Sequence, residues 1–323
     1  MMRTVSPPTR SRETIAVLLT VVAVVFFSIS AGVTLIVLDA GVSTAVLAGL
    51  RTVSSALLLA PVLLLFRRSQ RKIPRRDFPV LLVYGCAAWS QSLLLYLAIS
   101  RIPVGLALLL ITLAPVWLTL WARFIRKQKM NRMLWPSIGI LFAGLAMIAV
   151  PGASDFDPVG VFWAFLCSFA LAAFFLSGQR LVSSSDPIVV TFWGFATGAV
   201  LWTFLGVTGL SGAWWSVSAS ATTALPVALG GALVPLGLLL MFIVSLGTVF
   251  PYVAIVNAVR YVPATYISLL LLTEPVGAAL VAVWFFDQTL QSNQILGGFI
   301  VISGVAIALL SRPKQPAEDR ELL

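Results

Sequence analysis

The 323-residue sequence contains no histidine, two cysteines and only 11 acidic residues. Charged residues of both signs make up 10% of the chain, whereas hydrophobic residues make up 60%. A water-soluble domain usually has about a quarter of its residues charged, so this composition excludes a soluble fold. The sequence also has no P-loop, HExxH, GxSxG or potassium-filter motif, which excludes ATP-driven pumping within this chain.

Apolar runs follow one another along nearly the whole chain. A helix needs roughly 20 apolar residues to cross a bilayer, and continuous runs favour helices over the alternating strands of a barrel. Cys86 and Cys167 fall within such runs and predict neither a disulfide nor a metal site. We therefore predict an all-α polytopic membrane protein with ten spans, near residues 15–37, 44–66, 78–100, 103–124, 132–150, 158–178, 187–208, 239–260, 263–285 and 293–311.

Basic residues are concentrated in alternate loops. They follow the second and fourth spans, at 67–76 and 123–132, whereas the intervening loops carry mainly aspartates. The positive-inside rule then places both termini in the cytoplasm, with Arg101 as the exception. The excess of 21 basic over 11 acidic residues is thus explained by membrane orientation, and no nucleic-acid partner is expected.

The region from 222 to 260 is too long for one upright span. An eleventh span there would place Arg312 and Lys314 outside, so we reject it. Instead, the segment 212–237 is expected to lie at the outer interface or to enter the membrane partway. The predicted organisation is a tail at 1–14, a five-helix unit at 15–150, a second at 158–311 and a tail at 312–323.

An internal repeat relates the two units. A shift of 160 residues aligns Pro103 with Pro263, Pro115 with Pro275 and Gly144 with Gly304, and about eleven of 48 positions match. Because each unit has an odd number of spans, the second must enter the membrane from the opposite side. Inverted units of this kind predict a central site that opens to each side in turn, by alternating access.

Charged residues inside spans mark the candidate site. Glu274 lies about eleven residues into its span, near the middle of a core roughly 30 Å thick, where a carboxylate needs a cavity or a partner. It either contacts a solute, with a possible role in proton coupling, or ties together the backbone freed by Pro275. Arg51 lies deep in the second span and either binds a substrate carboxylate or anchors the span at the interface.

Neutral polar and aromatic residues within spans complete the candidate set. They suit an amphipathic solute, although each also fits simple packing. Pro115 and Pro275, at equivalent mid-span positions, are candidate helix breaks that leave backbone acceptors free. The further cavity candidates are Gln91, Tyr96, Trp163, Gln179, Tyr252, Asn257 and Tyr266.

The two repeated segments resemble the EamA-type repeats of the drug/metabolite transporter superfamily. These segments are RIPVGLALLLITLAPVWLTLWARF and RYVPATYISLLLLTEPVGAALVAVWFFDQTLQSNQILGGFIVISGVAIAL. Glu274, Pro275, Gly297, Gly298 and Gly304 fit the family pattern. The first copy departs from it, with Ala114 and Lys127 where the second has Glu274 and Asp287.

The resemblance implies ten helices in two inverted repeats and export of metabolites from a bacterial cytoplasm. Within this superfamily, we favour neutral or aromatic amino acids as substrates. A drug, a nucleotide sugar and a phosphorylated solute are alternative substrates. A scaffold protein that transports nothing is a lower-ranked alternative. No enzymatic activity, metal or cofactor is expected, because Glu274 has no partner acid. The expected partners are a small-molecule substrate and the inner-membrane bilayer, with the chain a monomer or weak dimer.

Overall fold

A computed structural model describes residues 10–66, 73–102, 104–127, 131–149, 157–210, 212–225, 230–286 and 291–310. The helices of these residues are α1 (Arg10–Asp39), α2 (Thr44–Phe66), α3 (Phe78–Ile99), α4 (Val104–Ile111), α5 (Ala114–Leu120), α6 (Leu134–Ala149), α7 (Pro158–Ser184), α8 (Pro187–Val207), α9 (Leu236–Val244), α10 (Phe250–Ala258), α11 (Ala264–Leu271), α12 (Glu274–Phe286) and α13 (Ser292–Leu310).

The helices form the predicted series of membrane spans. In the described part of the chain, nine helical stretches are long and apolar enough to cross a bilayer, and α6 adds a shorter apolar helix. Three spans are composite: α4 with α5, α9 with α10, and α11 with α12. The all-α polytopic class is thereby confirmed, although α1 begins five residues earlier and α7 ends six residues later than the apolar pattern predicts.

Asp-Pro pairs begin two neighbouring helices. Asp157 accepts a hydrogen bond from the Val159 backbone N–H at 2.8 Å, and Asp186 accepts one from Ile188 at 2.9 Å. The proline that follows each aspartate occupies the first turn, where its missing N–H costs nothing. The second pair fixes the start of α8 and so ends the extended α7.

Contacts between α6 and α13 show that the repeats are inverted. Gly144 faces Val301, and Gly304 faces Leu141. The 160-residue shift converts one contact into the other, as a two-fold axis between the repeats requires. Position numbers fall along α6 as they rise along α13, so these equivalent helices are antiparallel.

The remaining helix pairs follow the same symmetry. In one half of the bundle α3 packs against α7, and in the other α9 and α10 pack against α1. The equivalent helices α2 and α8 meet across the axis, and α5 of the first repeat also packs against α11 of the second. The interior of the bundle is therefore built from both repeats.

The segment between α8 and α9 forms a small hairpin and not a further span. Its strands, β1 (Thr222–Ala224) and β2 (Leu233–Pro235), pair antiparallel, and its described residues do not include 226–229. A 3-10 turn, Trp214–Ser216, precedes the hairpin and packs Trp214 against Gly49 of α2. Backbone hydrogen bonds from Leu236 and Gly237 join the start of α9 to this segment.

Arg101, the exception to the loop-charge pattern, has an acidic partner. Its guanidinium lies 3.1 Å from Asp157 on the neighbouring loop. The backbone N–H of Val159 and then the Arg101 side chain hold the pKa of Asp157 below its usual value. The carboxylate of Asp157 thus balances the positive charge of Arg101, which lies among loops that otherwise carry acids.

The contact between α6 and α13 predicts a position-specific effect of added side chains. Gly144→Ala would place a Cβ 2.7 Å from the Gly297 carbonyl oxygen and 2.8 Å from the Val301 nitrogen, which are backbone atoms that cannot rotate away. We expect a loss of about 1–3 kcal/mol in the free energy of unfolding, seen as a lower melting temperature in detergent. The matched control is Gly139→Ala in the same helix, where no atom lies within 4 Å; equal melting of the two variants would contradict the packing.

Asp157 predicts a pH-dependent contribution to stability. A depressed pKa stabilises the fold above the unfolded value of about 3.9, and the contribution is lost as pH falls through the folded pKa. Asp157→Asn, which can still accept the Val159 hydrogen bond, should melt below the wild type at pH 7, and the difference should shrink as pH falls through the folded pKa of Asp157. A deficit that stays constant across this range would rule out the charge as its cause.

Candidate functional site

Two spans are broken at equivalent points. In the first repeat α4 ends at Ile111 and α5 begins at Ala114; in the second α11 ends at Leu271 and α12 begins at Glu274. The two sets of boundaries differ by 160 residues at each point. Pro115 and Pro275 are the second residues of α5 and α12, where they start the new helix after each break.

Threonine hydroxyls satisfy part of the backbone at each break. Thr112 donates to the carbonyl of Leu109 at 2.5 Å, and Thr273 donates to the carbonyl of Leu270 at 2.8 Å. Irregular backbone is tolerated at membrane depth only when it is buried in protein or lines a cavity. Ile111 and Ala114 beside the first break and Leu272 in the second are buried, and α5 packs against α11, so both breaks lie inside the protein.

Helix α1 covers the break in the second repeat. The Ser28 hydroxyl donates to the carbonyl oxygen of Glu274 at 3.2 Å, and Gly277 gives the serine side chain room. Two residues further on, Ser30 packs against Gly247 in the π-helical turn Ser245–Val249 that joins α9 to α10. This face of α1 therefore contacts two irregular backbone segments at once.

Arg51 and Glu274 face a shared interior region. Arg51, from α2, interacts electrostatically with Glu274 and with Tyr252 of α10, and all three side chains are partly buried. Among the described residues, the ion pairs within 4 Å are Arg76–Asp77 and Arg101–Asp157, so Arg51 and Glu274 do not touch. The site thus places a guanidinium and a carboxyl group apart from each other but close enough to interact.

Aromatic rings surround Tyr252. The rings of Phe27, Phe174 and Phe195 meet it edge-on, with centroids 5.7, 5.8 and 5.2 Å away. These rings come from three further helices, α1, α7 and α8. Phe27 and Phe195, like Tyr252, are only partly buried. The charged region is therefore bordered by an apolar wall contributed by both repeats.

Three other predicted residues lie in packing or capping positions. The Gln179 side-chain oxygen accepts the backbone N–H of Ala264 at 3.4 Å, at the start of α11 and near the end of the bundle. Tyr266 is 3% exposed within the main core, and Trp163 packs against residues of α3 and α4 near the start of α7. Within the part of the chain that the structure describes, no hydrogen bond or ring contact joins Gln179 or Trp163 to Arg51 or Glu274.

The last three candidates, Gln91, Asn257 and Tyr96, lie on α3 and α10. Gln91 is partly buried on α3, and its carbonyl accepts a hydrogen bond from the buried Cys167 thiol at 3.2 Å. Asn257 is partly buried near the end of α10. Tyr96 belongs to α3, but its side chain lies outside the described residues.

Sequence reasoning missed Ser28 and the three phenylalanines around Tyr252. Serine is common in apolar helices, and nothing in its spacing distinguishes the one that meets Glu274. Phenylalanine occurs 20 times in the chain, so its presence alone marks no site. Only the packing of α1, α7 and α8 around α10 identifies these residues.

Comparison with known proteins agrees with the fold. The EamA-like transporter family matches residues 14–150 and 158–310. The uncharacterised transporter YdfC of Bacillus subtilis is 26% identical over 80% of this chain and 78% of its own length. The threonine/homoserine exporter RhtA of Escherichia coli K12 is 24% identical over 75% of each chain. A solved crystal structure, 17% identical, has the same fold with a TM-score of 0.74 over 92% of this chain and 97% of that one.

The chain belongs to the EamA-like transporter family, and it is a multi-pass membrane transporter. The family match falls on the two repeats whose inverted packing the structure shows. The domain boundaries and the site residues named from the sequence remain predictions.

The contact between Ser28 and Gly277 predicts that a larger residue at 277 lowers the melting temperature and that a smaller residue at 28 partly restores it. Gly277→Ala would push a methyl group into the Ser28 side chain, so we expect a melting temperature several degrees lower, as for other overpacked sites. Ser28→Ala added to Gly277→Ala removes the colliding hydroxyl and should restore part of the loss. Additive destabilisation in the double variant would show that the two residues are not in contact.

Proposed function

We propose that this protein exports neutral or aromatic amino acids by alternating access. The observation that carries the proposal is the separated guanidinium of Arg51 and carboxyl group of Glu274 inside the bundle. A zwitterion carries a carboxylate and an ammonium group only a few bonds apart. In the proposed complex Arg51 faces the carboxylate and Glu274 the ammonium.

The aromatic wall supports the class of solute. Phe27, Phe174 and Phe195 around Tyr252 offer apolar surface beside the charges, as an amino acid with an apolar or aromatic side chain requires. The name of the E. coli relative, threonine/homoserine exporter, supports both an amino-acid substrate and the outward direction.

The inverted packing supports the mechanism. Equivalent helices of opposite orientation can exchange conformations, which closes one entrance to the site as the other opens. In this proposal the protein works in the bacterial inner membrane, with both termini in the cytoplasm as the loop charges predict. Protonation of Glu274 as access alternates would couple flux to pH.

Phosphorylated or nucleotide-linked solutes are a weaker alternative. A phosphate group needs several cations in the cavity. Among the described residues, Arg51 is the one basic residue more than five positions inside a span. One guanidinium opposite a carboxylate fits a zwitterion better than a dianion.

Flux into proteoliposomes tests the proposal. We expect the purified protein to carry at least one radiolabelled amino acid from a panel of neutral and aromatic species. Arg51→Gln and Glu274→Gln should each lower flux about tenfold or more, since a hydrogen bond to a charged group contributes roughly 1.5–3 kcal/mol. Glu274→Gln should also flatten the dependence of flux on pH.

Matched controls separate the site from general charge effects. Asp39→Asn and Arg123→Gln remove the same charges from exposed ends of spans and should leave flux unchanged. Absence of flux for every amino acid, by protein that melts cooperatively and is correctly inserted, would contradict the proposed substrate class. Unaltered pH dependence in Glu274→Gln would exclude this carboxylate as the coupling group.

A further inference from the structure

Two buried hydrogen-bond donors without partners lie on α2, the helix of Arg51, and on the neighbouring α3. Ser55 is one helical turn after Arg51 on α2, is 0% exposed, and has no partner for its hydroxyl among the described residues. The indole N–H of Trp89, on α3, is also buried and unpartnered within the described part of the chain. Burying such a group without a partner costs about 1–3 kcal/mol.

Packing around Gly198 of α8 shows how α3 and Trp89 lie relative to α2. A Cβ at Gly198 of α8 would lie 2.8 Å from the Thr52 methyl group and 4.0 Å from the Trp89 Cβ. The Cβ end of Trp89 therefore lies near Thr52 of α2, the residue that follows Arg51 in sequence. Residues four apart share one face of a helix, so Ser55 and Arg51 point toward the same side of α2.

The three groups share one chemical property. A guanidinium, a hydroxyl hydrogen and an indole N–H are all donors, and the first carries a positive charge. Arg51 makes no ion pair within 4 Å among the described residues, so its donors are not consumed by an acid there. An acceptor with a negative charge and two oxygens would satisfy all three groups.

We propose that Arg51, Ser55 and Trp89 form a subsite for the α-carboxylate of the transported solute. The proposal rests on the amino-acid substrate proposed above and adds the residues that recognise one end of it. Ser55 and Trp89 contribute neutral hydrogen bonds to an anion whose charge Arg51 balances. The ammonium and side-chain ends of the solute are then left to Glu274 and the rings around Tyr252.

Ligand-dependent melting of the purified protein tests the subsite. The probes are an amino acid that the wild type transports and its carboxamide, which keeps the ammonium and side chain but lacks the carboxylate. The amino acid should raise the melting temperature and the carboxamide should not. Ser55→Ala and Trp89→Phe should each weaken amino-acid binding roughly tenfold, the loss expected for one hydrogen bond to a charged group.

Control variants and the ligand-free protein make the test specific. Ser54→Ala lies about 100° away around α2, and Trp202→Phe removes another buried, unpartnered indole N–H, on α8; both should bind the amino acid as the wild type does. Without ligand, Ser55→Ala should melt no lower than the wild type, because it removes a donor that has no partner. Trp89→Phe should melt no lower than the control Trp202→Phe, because both variants lose the same ring volume and an unpartnered N–H. A purely structural role would lower these ligand-free melting temperatures.

The outcomes separate this subsite from the proposed function. Amino-acid flux in the wild type, with unchanged binding in Ser55→Ala and Trp89→Phe, would overturn the subsite and leave the function standing. Equal stabilisation by the amino acid and its carboxamide would do the same. Neither flux nor stabilisation by any amino acid would overturn the proposed function and the subsite with it.

Discussion

The structure depends on the need to satisfy every backbone polar group within the hydrocarbon. In two spans the regular helix is interrupted, at residues 112–113 and 272–273. Both breaks are tolerated because neighbouring helices enclose them. Thr112, Thr273 and Ser28 each donate to a nearby carbonyl there. Enclosing the breaks requires both repeats, which forces the irregular and polar part of the chain into the centre.

The internal duplication makes the two repeats symmetric, whereas the candidate site contains residues that differ between the two copies. Position 114 is a fully buried alanine in the first copy, whereas the second has Glu274. Trp117 in the first copy donates to Ser168 of α7 and stacks on Phe169, whereas Gly277 in the second leaves room for Ser28 of α1. At these positions the first copy thus has the apolar side chains of Ala114 and Trp117, whereas the second copy has the carboxyl group of Glu274 on a residue that contacts α1.

The fold was predictable because the bilayer imposes a strong and repetitive pattern. Continuous apolar runs gave the spans, and the shift of 160 residues gave the inverted packing that Gly144 and Gly304 display. Pro115 and Pro275 correctly indicated the helix breaks. The C-terminal end of α7 was less predictable, because its last turns contain polar residues and only the cap at Asp186 fixes where the next helix begins.

The site was predictable only where a residue type is costly in lipid. Glu274 and Arg51 stand out on that ground, and they lie close enough to interact without forming an ion pair. Aromatic and amide residues do not stand out: Gln179 contacts the start of α11, and Tyr266 lies in the core. The most direct test is thiol labelling of Leu113→Cys and Thr273→Cys, made without the native cysteines. We expect a membrane-impermeant reagent to reach both breaks from either side, with added substrate shifting the balance. Failure of both positions to react from either side, in folded and inserted protein, would contradict a central site open to each side in turn.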